Sequence, residues 1–152
     1  MGDGRPNGGE QGPDLVDAGP PPDGHRRVLV VDDDYDVADG VADPLRDYGH
    51  EVFVARDGHG ALDRIGEVHP TVAIIDIGLP GLSGHDLAIR ARQRQGSEPL
   101  RLIALTGLSG AAERRRSKDA GFDVHLVKPV NLDALLEAVS APPDAHATLA
   151  PG

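Results

Sequence analysis

Three consecutive carboxylates, Asp32-Asp33-Asp34, stand directly after the apolar run Val28–Val31. A fourth, Asp76, closes the run Val72–Ile75. Thr106 follows Leu102–Leu105, and Lys128, with Pro129 behind it, follows Val124–Val127. If these runs lie side by side as strands, their ends bring several carboxylates, one hydroxyl and one ammonium together. Two carboxylates about 4 Å apart repel by about 4 kcal/mol at an effective dielectric of 20. A shared proton or a divalent cation relieves that repulsion. Hard oxygen donors without His or Cys beside them suit Mg²⁺, which takes few protein ligands and keeps waters for a phosphoryl group. An ammonium and a hydroxyl are natural partners for phosphoryl oxygens. A carboxylate so placed can also be the nucleophile, giving an aspartyl phosphate. The spacing therefore points to Mg²⁺-assisted phosphoryl chemistry on a carboxylate.

Each residue alone has a plainer explanation. An Asp triplet after a strand caps a helix or makes a turn. Asp76 before Gly78 and Pro80 is a turn residue, Thr106 says little, and Lys128 could lie in solvent. The argument rests on four such positions recurring in order at the ends of the first, third, fourth and fifth runs.

The elements that must position these residues show in the hydrophobic pattern. The four runs above and Val52–Ala55 are short, β-branched and continuous, which suits strands covered on both faces, as in a parallel sheet. Between them lie stripes at helical spacing: Val37, Val41 and Leu45; Ala61, Leu62 and Ile65; Leu87, Ala88 and Ala91; Leu132, Leu135, Leu136 and Val139, the last with Asn131 as N-cap. Five strand–helix pairs make an open α/β sheet with helices on both faces. Ligands of such sheets sit at the carboxyl ends of the strands. The first helix contains Gly40 and Pro44, and an interior Pro costs about 3 kcal/mol. The pattern therefore predicts a kink or split near Asp43. Arg114-Arg115-Arg116 is expected to begin the fourth helix, with Lys118 next, as a solvated or partner-docking face.

The 152 residues suit one domain, and 39% hydrophobic content allows a single modest core. Against 25 acids stand 15 Lys and Arg, a net charge of −10. That balance disfavours nucleic acid and anionic membrane. With no Cys, disulfides, thiolate catalysis and Cys-bound zinc are excluded. Apolar runs reach only about six residues and nothing resembles a signal peptide, so a cytoplasmic location is expected. Seven Gly and five Pro occupy the first 24 residues. Residues 1–25 and 141–152 are expected to be disordered tails, leaving a domain at 26–140. Much of its acidity is local: Asp32 to Asp47 holds seven Asp against one Arg.

The stretch Arg27 to Val139 resembles the receiver domain of two-component response regulators. Val28-Leu-Val-Val-Asp32-Asp33-Asp34 resembles the first-strand motif. Ile74-Ile-Asp76-Ile-Gly78-Leu-Pro80-Gly-Leu-Ser-Gly84 resembles the phosphoacceptor strand and loop. Ala104-Leu-Thr106-Gly107 and Leu126-Val-Lys128-Pro129 resemble the remaining two motifs. The wording at Gly121-Phe122 and His125-Leu-Val-Lys128-Pro129 is similar to receivers attached to hybrid histidine kinases.

The resemblance implies a flavodoxin-like (βα)5 single domain, a doubly wound parallel sheet in strand order 2-1-3-4-5. It implies that Asp76 accepts a phosphoryl group from a sensor histidine kinase or histidine phosphotransfer protein. Asp33, Asp76 and the Gly78 carbonyl would bind Mg²⁺ directly, and Asp32 through water. Thr106 would bond a phosphoryl oxygen, Lys128 would pair with Asp76, and the Lys128-Pro129 peptide would be cis. The chain would then be a phosphoacceptor switch with at most self-phosphorylation and self-dephosphorylation. No DNA-binding or other output domain is expected after the fifth helix, so the signal would pass to a downstream protein target. Family members often pair through helix 4, strand 5 and helix 5, so a homodimer on that face belongs to the same expectation.

In such switches the new phosphate adds about −1.5 to −2 charges, the Thr moves toward it, and a fifth-strand aromatic turns inward. Here that residue is His125, which puts the aromatic switch in doubt. Two positions that tune loss of the phosphate are Gly78 and Leu108. Neither side chain can orient water, which predicts a long-lived phosphate.

Two other functions compete. Asp32 and Asp34 form a D-x-D, as in haloacid-dehalogenase-like Mg²⁺-dependent phosphatases, with Asp32 as nucleophile. That reading needs an acidic pair after the Lys, whereas only Asp133, Glu137 and Asp144 follow, and it leaves Asp76 without a role. A flavodoxin-like FMN module would set its phosphate against the acidic first loop.

Overall fold

Every β-branched run forms a strand: β-branched side chains suit the pleated backbone, and polar or turn residues flank each run. The computed structural model describes residues 26–94, 99–108 and 110–141. The strands are β1 (Arg27–Val31), β2 (Glu51–Ala55), β3 (Val72–Asp76), β4 (Arg101–Thr106) and β5 (Val124–Val127). They alternate with α1 (Tyr35–Asp47), α2 (Gly58–Val68), α3 (Gly84–Arg94), α4 (Ala111–Ala120) and α5 (Leu132–Ser140). All neighbouring strands are parallel, in the order β2-β1-β3-β4-β5. This is the doubly wound order, whose reversal between β1 and β3 opens a crevice at the carboxyl edge.

Strand alternation divides the core in two. Leu29, Val31, Ala73, Ile75, Leu102 and Ala104 pack with residues of α2, α3 and α4. Val28, Val30, Val72, Ile74, Ile103 and Leu105 pack with Ala38, Val41, Ala42 and Leu45 of α1 and Leu135 and Val139 of α5. Because β1, β3 and β4 are covered on both faces, they read as continuous apolar runs. Helix starts are fixed by short polar side chains: Asp34, Asp57 and Asn131 each accept a backbone N–H of the first turn of α1, α2 and α5. Arg92 ties α3 to the α4–β5 turn, donating to the Gly121 carbonyl and, at 2.6 Å, to Asp123. At the opposite edge from the crevice, Arg26 Nη2 donates to the Ser140 carbonyl at 3.1 Å, so the start and the end of the folded unit touch.

Three expectations need correcting. First, of the kink or split expected near Asp43, the split does not occur: α1 runs on through Pro44 to Asp47. The carbonyl that the proline ring crowds, four residues back, belongs to Gly40. Gly40 is exposed, with open space where a Cβ would sit, so that carbonyl can tilt to water. Pro44 keeps its own acceptor, which takes the Tyr48 N–H at 3.1 Å. Second, α4 begins at Ala111, so the Arg run lies within the helix rather than opening it. Third, Leu132 at the head of α5 is exposed and outside the stripe. The tails expected at 1–25 and 141–152 fall, except for Ala141, outside the described residues.

Candidate functional site

The acidic triplet divides its work between helix and crevice. Asp34 accepts the N–H groups of Asp36 (2.9 Å) and Val37 (3.2 Å) and so caps α1. The plain capping explanation is correct for this residue alone. Asp32 is 2% exposed, and its Oδ1 accepts the Asp34 N–H at 2.9 Å. Its Oδ2 is buried with no hydrogen-bond partner among the described residues. Asp33 is exposed, and Asp76 is 8% exposed at the end of β3. One carboxylate oxygen from each of Asp32, Asp33 and Asp76 lies within 4.8 Å of the others. Burial raises the Asp32 pKa above 3.8, and the charges of Asp76 and Asp33 add to that rise. The Asp34 N–H and Lys128 oppose it without cancelling it. A buried carboxylate oxygen without a donor, beside two further carboxylates, fits a hard divalent cation or the water it carries.

Lys128 reaches this cluster from β5. Its Nζ is 3.2 Å from Asp76 Oδ1 and 3.7 Å from Asp32 Oδ2. Asp76 Oδ1 also accepts the Gly78 N–H at 3.1 Å. One oxygen of Asp76 is thus held by two donors, while the other has no hydrogen bond among the described residues. Thr106 ends β4, one residue beyond Leu105, the register partner of Asp76. Its Oγ1 accepts the Leu108 N–H at 3.0 Å, which leaves the hydroxyl proton available to another acceptor. Behind Lys128 the peptide bond to Pro129 is cis. Gly84 closes the loop after Asp76: a Cβ there would stand 2.6 Å from the Asp76 carbonyl oxygen and from Ile77 Cα. Only glycine lets α3 start against the backbone of the acidic strand.

The sequence profile described as response regulator receiver domain matches residues 28–140. The chain belongs to that family. Its curated relatives include the response regulator MprA of Mycolicibacterium vanbaalenii, 36% identical over 115 residues. That match covers 76% of this chain and 49% of the relative, so the chain spans about half the length of the curated relatives it matches. Among solved structures, chemotaxis response regulator CheY4 of Vibrio cholerae is 30% identical with a TM-score of 0.70, covering 76% of this receiver and 96% of that chain. A CheY-like receiver domain protein from Methanospirillum hungatei is 30% identical with a TM-score of 0.72, covering 81% and 97%. The receiver fold in the order 2-1-3-4-5 is shared with these neighbours.

Within the receiver, the structure brings Asp32, Asp33, Asp76, Gly78 and Lys128 into one cluster, with Thr106 at the adjoining strand end. His125 lies in β5, three residues before Lys128, its Nδ1 3.0 Å from Ser117 Oγ of α4 rather than at the carboxylates. Leu108 is exposed beside the cluster. Sequence reading missed Ser117, which contacts His125 across elements, the edge-on His85–Phe122 pair, and the Arg56 guanidinium stacked 3.5 Å over the Tyr35 ring. Spacing carried no signal for these contacts. Arg56 could have been noticed: β2 pairs with β1 in register, Val31 opposite Ala55, which sets the residue after β2 beside the acidic triplet. No described helix is long and apolar enough to cross a membrane.

Proposed function

We propose that this receiver takes a phosphoryl group onto Asp76 from a phosphohistidine on a sensor kinase or phosphotransfer protein. The observation that carries the reading is the asymmetric hold on Asp76. Oδ1 is fixed by Lys128 and by the Gly78 N–H, which leaves the second oxygen as the nucleophile. That oxygen bonds to phosphorus as the P–N bond breaks, and the electron pair returns to the donor imidazole. Lys128 and the Thr106 hydroxyl then face the phosphoryl oxygens, as donors to developing negative charge. Asp33, Asp76 and the Gly78 carbonyl would hold Mg²⁺, with Asp32 behind a water. When bound, the cation offsets the crowded negative charge of carboxylates and phosphoryl group. The acidic pair and Asp76 are then one functional unit, and the protein is a switch rather than a turnover enzyme.

The phosphatase alternative is weakened by Asp34. The second Asp of its D-x-D is spent on capping α1. The test is to incubate the protein with Mg²⁺ and acetyl phosphate, or with a phosphorylated kinase, and to map the label. Label on Asp76 that disappears in Asp76→Asn supports the receiver reading. Label on Asp32, or rapid turnover of a phosphate monoester, overturns it. Neither Gly78 nor the exposed Leu108, which flank the site, has a side chain that can orient an attacking water. Phosphate release in Mg²⁺ is therefore expected to take minutes or longer, and a half-life of seconds would contradict that.

A further inference from the structure

Two complementary charges stand side by side at the acidic crevice without pairing. Val30 and Val54 face the α1–α5 layer, whereas Val31 and Ala55 face the other one. Alternation therefore carries Asp32 and Arg56, each one residue beyond its strand, to the α1 side. The Asp32 N–H donates to the Ala55 carbonyl at 3.1 Å, which extends the register of β1 and β2 by one step. Neighbouring strands lie about 4.8 Å apart, so the Asp32 carboxylate is within reach of the long Arg56 side chain. Yet Asp32 Oδ2 and Arg56 Nη1, both shut from solvent, have no hydrogen-bond partner among the described residues. The ion pair that Asp32 does make is with Lys128, which arrives from the β5 side at 3.7 Å.

Tyr35 accounts for the separation. Asp34 caps α1 and so fixes Tyr35 as its first residue, next to the acidic triplet. The guanidinium carbon of Arg56 lies 3.5 Å from the centre of the Tyr35 ring. That is well inside the distance of about 6 Å at which a ring quadrupole holds a cation. A guanidinium is flat and weakly hydrated, so an aromatic face suits it. The ring is 64% exposed and is no part of the core.

We propose that Tyr35 is a positioning residue that holds Arg56 off Asp32 and so keeps that carboxylate open to a divalent cation. The inference rests on the receiver reading, in which Asp32, Asp33 and Asp76 serve Mg²⁺. Without the ring, the guanidinium turns to the carboxylate beside it, because arginine–carboxylate pairs are among the stronger hydrogen-bonded contacts. Asp32 Oδ2 then accepts from Arg56. A cation reaching the cluster has to break that pair, and it meets a second fixed positive charge besides Lys128. Stacking on Tyr35 spares the site both obstacles.

The test titrates Mg²⁺ alone into the full chain, following the Gly78 amide by NMR and the heat by calorimetry. Tyr35→Leu is expected to weaken Mg²⁺ binding about two- to fivefold, as loss of an exposed cation–π contact implies. Tyr35→Phe, which keeps the ring, is expected to bind as wild type does. In an Arg56→Gln background the Tyr35→Leu change is expected to have no effect, since no guanidinium is left to hold back. Unchanged affinity in Tyr35→Leu, or the same weakening with and without Arg56, overturns the proposal. If Tyr35→Leu does not fold, Arg56→Lys takes its place. An ammonium stacks less well and reaches carboxylates as a point charge, so weaker Mg²⁺ binding is expected and unchanged affinity overturns the proposal. A wild-type chain that binds no Mg²⁺ at the cluster overturns this inference together with the cation's part in the proposed function. A wild type that binds it while Tyr35→Leu matches overturns this inference alone.

Discussion

The environment of Asp32 conflicts with its charge. It is buried, and burial together with Asp76 raises its pKa. Below its unfolded value of 3.8, both the folded and the unfolded chain hold the proton and nothing is lost. As pH rises from there through the folded value, the unfolded chain ionises first and the fold loses stability. Above the folded value the loss is complete. Asp32→Asn is therefore expected to melt higher than wild type without Mg²⁺, by on the order of 1 kcal/mol at neutral pH. The gap should shrink toward zero as pH falls to 3.8 and below. The same variant should gain less from added Mg²⁺. Thermal melts of both proteins across pH, with and without the cation, check both statements.

At the level of elements, the start of α3 is packed tightly against the end of the acidic strand. Gly84→Ala would drive a methyl group into the Asp76 carbonyl and Ile77 Cα, both backbone atoms that cannot step aside. A loss of about 2–3 kcal/mol is expected in urea unfolding. Pro44→Ala should act in the opposite sense. It restores an N–H toward Gly40 and removes a poor helix former, partly offset by a freer unfolded chain, for a net gain of about 1–2 kcal/mol. These two positions also mark where the sequence was legible. Strands were plain because β1, β3 and β4 are buried on both faces, and the Asn131 cap was plain because capping is local. The acidic residues and Lys128 could be grouped because each ends a strand and parallel strands end on one edge. The unbroken α1 was not legible, since it depends on Gly40 lying in open solvent. Nor was the Ser117–His125 contact, which joins α4 to β5 through packing that no spacing reports.

Across the whole molecule the sheet separates charge. α1 and α5 carry six carboxylates against one Arg, while α2, α3 and α4 on the other face carry eight bases against five acids. The layers lie roughly 20 Å apart, two sheet-to-helix spacings of about 10 Å, beyond the Debye length of about 8 Å at physiological salt. Attraction between them is therefore weak, and repulsion within each layer dominates. Asp39 and Asp43 are one helical turn apart on α1, as are Asp43 and Asp47. Raising NaCl from 0.01 to 0.15 M is expected to raise Tm. Asp39→Lys should add about 0.5 kcal/mol and reduce that salt dependence, as read by calorimetry. The contact between Arg26 and Ser140 bears on architecture rather than stability. A unit whose entrance reaches its exit through a single arginine side chain can be spliced into a surface loop of a host protein as well as fused to one end. In such a graft both flanking joints would sit together at the pole opposite the acidic crevice, away from any donor approaching it.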